Sequence, residues 1–201
     1  MVGKAGVSVV RAGERMSDTA GYEDFLAGRY FNPGDSRLRE LRGRCYALLD
    51  ALNATSNADK AARADLLREL LGACGEGVNV KSPFQCDYGV NLRLGAGVFV
   101  GVGCVFLDVA PIEIGDGALV GPQVGIYAVE HPIDAAERAL GVERGRAVRI
   151  GRNCWIGGHA TINPGVELGD NVIVASGAVV TRSFPDNVMV AGVPARVVRE
   201  L

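Results

Sequence analysis

A chain of 201 residues is long enough for one sizeable core with a small appended element. Its formal net charge of −2 and its scattered arginines leave no electrostatic footprint for nucleic acid. No apolar run approaches a membrane span, and the first residues lack a secretory signal, so a cytoplasmic protein without a membrane partner is expected. Five cysteines, an odd number with no CxxC spacing, argue against a disulfide framework or a structural zinc site.

Residues 1–15 mix Gly, Ala, Val and charge without a period and read as a loose extension. From Ser17 a helix is expected across GYEDFLAG, followed by a turn from Tyr30 to Gly34. Asp35 can cap a second helix whose Leu38, Leu41, Cys45, Leu48, Leu49 and Leu52 fall on one face. Ser56 or Asn57 is expected to cap a third helix that runs through Leu66, Leu67, Leu70 and Leu71 and stops at Gly72. Residues 16–74 thus form a helical cap.

Beyond it the period changes to six. Aliphatic residues recur at Ile150, Ile156, Ile162, Leu168, Val174 and Val180, and a small residue follows each of them. Each hexad reads as a short extended side with its aliphatic residue inward, closed by a corner of Gly, Asn or Asp. Three sides close a coil of 18 residues, which would stack Cys86 on Cys104. Their α-carbons would then lie near the strand spacing of about 4.8 Å, although thiols are still expected in a reducing compartment. The same beat is set earlier at Leu94, Val100 and Phe106. It slips by two residues in LDVAPIEIG and restarts at Ile114, Val120 and Ile126. Residues 75–184 therefore form the coil, interrupted at about 127–149 by a segment with no beat. A loop of that length in a compact domain points to function, and it carries His131, one of only two histidines. The tail, 185–201, is punctuated by Pro185 and Pro194.

The hexads, the IYAVEHP segment, CWIGGHATINPGVELGDN and AGVPARVVRE together resemble the hexapeptide-repeat acyltransferases, and among them the maltose and galactoside O-acetyltransferase group. The resemblance implies a left-handed parallel β-helix, against the general preference for right-handed parallel crossovers. It also implies a homotrimer with active sites between neighbouring subunits, acetyl-CoA as co-substrate, and direct transfer without an acyl-enzyme. No metal is implied. A γ-class carbonic anhydrase shares the coil but needs three zinc-binding histidines, and this chain has two.

Acetylating an alcohol near neutral pH calls for a base on the hydroxyl, and His131 stands where the family carries its catalytic histidine. His159, within the hexads, reads as a structural residue packed at a coil face or subunit interface. By resemblance the Gly157–Gly158 segment supplies backbone donors to the oxyanion, while Trp155 either lines the donor groove or is a core tryptophan. Ser176, Thr181 and Arg182 match the pantetheine and nucleotide path, and Arg196 and Arg199 match the phosphate end, where arginine holds phosphate oxygens well.

On the acceptor side Asn32, Arg42, Gly101 and Asp108 match substrate-contacting positions or their neighbours. Gly101 replaces an asparagine of relatives, Asn32 replaces an acid, and Val109 aligns with an acid of the galactoside enzymes. These departures imply an altered acceptor. The leading expectation is O-acetyl transfer to a sugar-like or other small polar molecule. An N-acetyltransferase on an amino sugar and a non-catalytic trimeric scaffold are the alternatives.

Overall fold

The structure is a computed structural model that describes residues 18–201, with side chains described from Gly21 onward. The expected loose extension, 1–15, lies outside the described residues. Three helices open the described chain: α1 (Asp18–Leu26), α2 (Ser36–Ala54) and α3 (Lys60–Leu70). Asp35 caps α2, its carboxylate accepting from the N–H groups of Arg37 and Leu38. The cap of α3 corrects the sequence expectation, because Asp59 performs it by accepting from Ala62 N. Ser56 is instead used on Ala58 N, and Asn57 reaches across to Ser82 N.

From Ala73 the chain winds into a parallel β-helix with three faces. Cys74, Leu94, Ile114, Ile150 and Leu168 stack up the first face. Val80, Val100, Val120, Ile156, Val174 and Val190 stack up the second, and Cys86, Phe106, Ile126, Ile162 and Val180 up the third. From Leu94 to Val180, none of the residues marking the sixfold beat is more than 3 % exposed. Each contributes roughly 1.5–3 kcal/mol by burial. At most corners the third residue after the inner one takes a left-handed backbone, as at Asn153 (φ 56°), His159 (φ 59°) and Asn171 (φ 55°). His159 is therefore an exposed corner residue, not one packed on a face.

The coil is not uniformly 18 residues long. Partners are 20 apart in the early coils (Cys74 with Leu94, Phe84 with Cys104), 18 apart between Ile150 and Leu168, and 16 apart between Val174 and Val190. Cys86 accordingly stacks on Phe106, and its thiol lies 3.5 Å from that of Cys45 on α2. All five cysteines are free.

Every departure from the hexad falls at one corner, the third, where the chain passes from the third face to the first. Cys86 to Leu94 and Phe106 to Ile114 each take two extra residues there, and Ile126 to Ile150 takes the long excursion. That excursion is a hairpin, with Val129 and Glu130 paired antiparallel to Gly145 and Arg144, tipped by α4 (Ala135–Arg138). Segment 185–201 is also ordered. Val188–Gly192 continues the second face, and Ala195–Glu200 folds back on it antiparallel. At the opposite end the side chain of Asn53, on α2, pairs with the first coil as a strand would. Its Nδ2 donates to Phe84 O and its Oδ1 accepts from Phe84 N, both at 2.9 Å.

Candidate active site

The third corner concentrates the polar chemistry. His131 follows the outgoing strand of the hairpin, and its Nδ1 lies 3.0 Å from the carbonyl oxygen of Val142 on the returning limb. A carbonyl only accepts, so Nδ1 carries the proton and Nε2 is left as the basic nitrogen. The ion pair of Arg144 with Glu130, side by side on the two strands, braces the hairpin. The next residue of the returning limb, Glu143, makes a two-way backbone bridge to Phe31 (2.9 and 3.1 Å), tying the loop to the cap.

Asp108 does not reach this surface as a substrate ligand would. It is fully buried, its Oδ1 accepting from the N–H groups of Asp87 (2.9 Å) and Tyr88 (2.8 Å) and its Oδ2 from Asn91 N (3.3 Å). Burial pushes its carboxyl up to about 7 against the pull of those donors. Asp108 thus shapes the corner that presents Asp87 and Tyr88. Arg42, half-buried on α2, donates to Tyr88 Oη at 3.0 Å and to Pro33 O, and its guanidinium lies 5.7 Å from the centroid of the Tyr88 ring. Asn32 is exposed, with its side-chain oxygen held by Gly34 N at 2.8 Å in the turn before α2.

Asp87 and Glu143 are the acids the sequence reading missed. Burial raises both carboxyls. The charge of Asp87 raises Glu143 further, while His131 and Arg42 lower it. Glu143, Asp87, Arg42 and His131 therefore share one electrostatic neighbourhood. The signal that could have found Asp87 is the extra pair of residues between Cys86 and Leu94, the same slip noticed one coil later.

Gly101, Gly157, Gly158 and Ser176 lie at the second corner, between the second face and the third. Gly101 is buried, and a Cβ there would stand 2.7 Å from Gly121 C and Pro122 N, so this position offers a close coil approach and no side chain. The N–H of Gly157 is committed to Val174 O at 2.7 Å. That of Gly158 has no backbone acceptor among the described residues, which makes Gly158 the available donor of the pair.

Trp155 is 54 % exposed, which excludes the core reading. On the outside of the second face it belongs to a row running from Phe99 and Leu119 through Ile173 and Met189, where the antiparallel partner is Arg199. Three strand spacings of about 4.8 Å put Arg199 roughly 14 Å from Trp155. Arg196, also exposed, pairs with Ala191 in the same hairpin. Thr181 and Arg182 lie apart from this row, at the third corner, with the Arg182 guanidinium 5.3 Å from the Phe184 ring centroid.

One chain thus brings His131, Arg42, Asn32 and the Asp108-supported loop to one corner, and Gly101, Gly158 and Ser176 to another, with Trp155 on the face leading to it. No group of three or more His, Cys, Asp or Glu among the described residues is arranged to hold a metal ion. No helix among them is long and apolar enough to cross a membrane.

Comparison with known proteins adds three matches to family models. They are the bacterial transferase hexapeptide (six repeats) at residues 147–182, the maltose acetyltransferase hexapeptide capping motif at 25–75, and the hexapeptide repeat of succinyl-transferase at 91–126. The galactoside O-acetyltransferase of Escherichia coli K12 is 34 % identical over 89 % of this chain and 88 % of its own. A crystal structure of a maltose O-acetyltransferase from Clostridium difficile 630 superposes with a TM-score of 0.87 at 41 % identity, covering 90 % of this chain and 97 % of that one. A galactoside acetyltransferase in complex with coenzyme A gives 0.86 at 34 % identity, covering 92 % of each chain.

Proposed function

Because this chain belongs to the hexapeptide-repeat acetyltransferases, in the group with the maltose acetyltransferase cap, we propose that it carries acetyl from acetyl-CoA directly to a hydroxyl of a small, sugar-like acceptor. The observation that carries the reading is the contact of His131 Nδ1 with Val142 O, which leaves Nε2 as the base. The acceptor oxygen attacks the thioester carbonyl carbon as Nε2 takes the hydroxyl proton. The oxyanion that forms accepts from Gly158 N–H. Its collapse breaks the C–S bond, and the departing thiolate receives the proton from His131. The scheme uses no metal.

The donor lies along the outer row of the second face, its apolar arm on Leu119, Trp155 and Ile173 and its phosphates toward Arg199 and Arg196. His131 and Gly158 occupy different corners of the same prism. A complete site therefore needs two copies, the third corner of one against the second corner of the next. A closed ring of three satisfies this for every copy. The donor implies a cytoplasmic reaction.

The test follows thiol release from acetyl-CoA with a panel of sugars and polyols. His131→Ala should lower kcat by about 10²- to 10⁴-fold with folding unchanged. His159→Asn, which keeps a side chain tolerant of the left-handed corner, should stay near wild type. Near-normal turnover in His131→Ala would refute the base assignment.

A further inference from the structure

We infer that the acceptor carries an ammonium group as well as the hydroxyl that is acetylated, and that Asp87 and Glu143 hold that ammonium at the third corner. This rests on the acetyl-transfer reading above and names the class of molecule that enters the site.

Both carboxylates are half-buried, and neither takes part in any ion pair among the described residues. The guanidinium that lowers both, Arg42, is spent on Tyr88 Oη and Pro33 O. Two carboxylates against one guanidinium leave an excess of acid at this corner. Taking carboxylates out of water without a counter-charge is unfavourable. Burial pushes both acids up, and the charge of Asp87 adds to this at Glu143.

The mounting of each acid is firm. Asp87 sits on a backbone fixed by the buried carboxylate of Asp108. Glu143 is bridged to Phe31 and directly follows Val142, the residue that orients His131. The pair is therefore built into the corner that carries the base, which suits an acceptor whose amino and hydroxyl groups are close together, as in an amino sugar.

The arrangement also selects between the two nucleophiles of such a molecule. An ammonium held between carboxylates keeps its proton and has no lone pair to attack the thioester. The hydroxyl at Nε2 loses its proton to His131, forms the new C–O bond as the C–S bond breaks, and the proton passes to the departing sulfur. The product is an O-acetyl ester with its amine still free.

Glucosamine and glucose serve as probes differing at one group, with products assigned by NMR. Wild type should favour glucosamine by at least about tenfold in kcat/KM and yield the O-acetyl ester. Asp87→Asn and Glu143→Gln should each remove most of that preference, read as the ratio of the two kcat/KM values within each variant. Equal use of both sugars, or an N-acetyl product, would overturn the inference. Calorimetric binding of the two sugars to His131→Ala separates the two readings. A retained preference for glucosamine without acetyl transfer by wild type would sink the reaction but keep the acceptor class, and no preference in binding would sink the acceptor class alone.

Discussion

The guanidinium of Arg63 and the carbonyl oxygen of Val80 lie 2.7 Å apart, joining α3 to the first coil of the β-helix. The same side chain, only 4 % exposed, also donates to Leu52 O and Thr55 O at 2.7 Å, so it closes the end of α2 as well. Burial lowers its pKa, and three carbonyls rather than a carboxylate compensate for the lost water. Arg63→Ala should destabilise the protein by about 2–4 kcal/mol in urea titration, since three acceptors lose their donor. Arg63→Lys should recover only part of this, because an ammonium cannot reproduce the planar fork.

Asp108 gives stability a pH dependence. An unfolded aspartate titrates near 3.9, whereas burial holds this one up to about 7. The folded state therefore binds the extra proton, and the stability it contributes is fully present below about pH 4 and lost as pH rises to about 7. Unfolding measured at pH 5 and pH 8 should show a loss in the wild type that shrinks in Asp108→Asn. Asp108→Ala should cost about 3 kcal/mol at pH 5, because three N–H groups lose their acceptor, and less at pH 8, where the wild type has already lost the linked stability. A wild type equally stable at both pH values would contradict the assignment.

Trp155→Ala tests the donor row. The indole is more than half exposed in the single chain, so the fold should lose little. The apparent KM for acetyl-CoA should rise about 5- to 30-fold, equivalent to about 1–2 kcal/mol of lost stacking and burial. An unchanged KM would remove Trp155 from the donor path.

The hairpin arginines can be separated from the thioester end. Arg196→Ala combined with Arg199→Ala should raise the KM for acetyl-CoA about tenfold, yet leave that for acetyl-dephospho-CoA little altered. Parallel kinetics with the two donors decide the matter. Equal effects on both would move these residues away from the terminal phosphate.

The inner residues of the hexads were readable because burial imposes a period that no other architecture shares, and the stack from Leu94 to Val180 follows it. Coil length was harder to read. A constant 18 paired Cys86 with Cys104, whereas the two extra residues after Cys86 and again after Phe106 keep successive coils aligned at 20. Asp108 looked like a substrate carboxylate because sequence shows residue type but not the three N–H groups that enclose it. Asp59 was hidden among Ser56 and Asn57, each able to cap. Glu143 lies in the one stretch without a beat, 56 positions from Asp87, and only the bridge to Phe31 and the hairpin register bring it to that corner.

A stack of parallel strands whose outermost peptide groups stayed free would be a template for another chain, and such stacks grow into filaments. The amide of Asn53 occupies both peptide groups of Phe84 on the first coil, and the strand Ala195–Glu200 reverses direction over the last strand of the second face. These two features act as stoppers. They oppose end-to-end polymerisation and so keep an otherwise open-ended architecture finite.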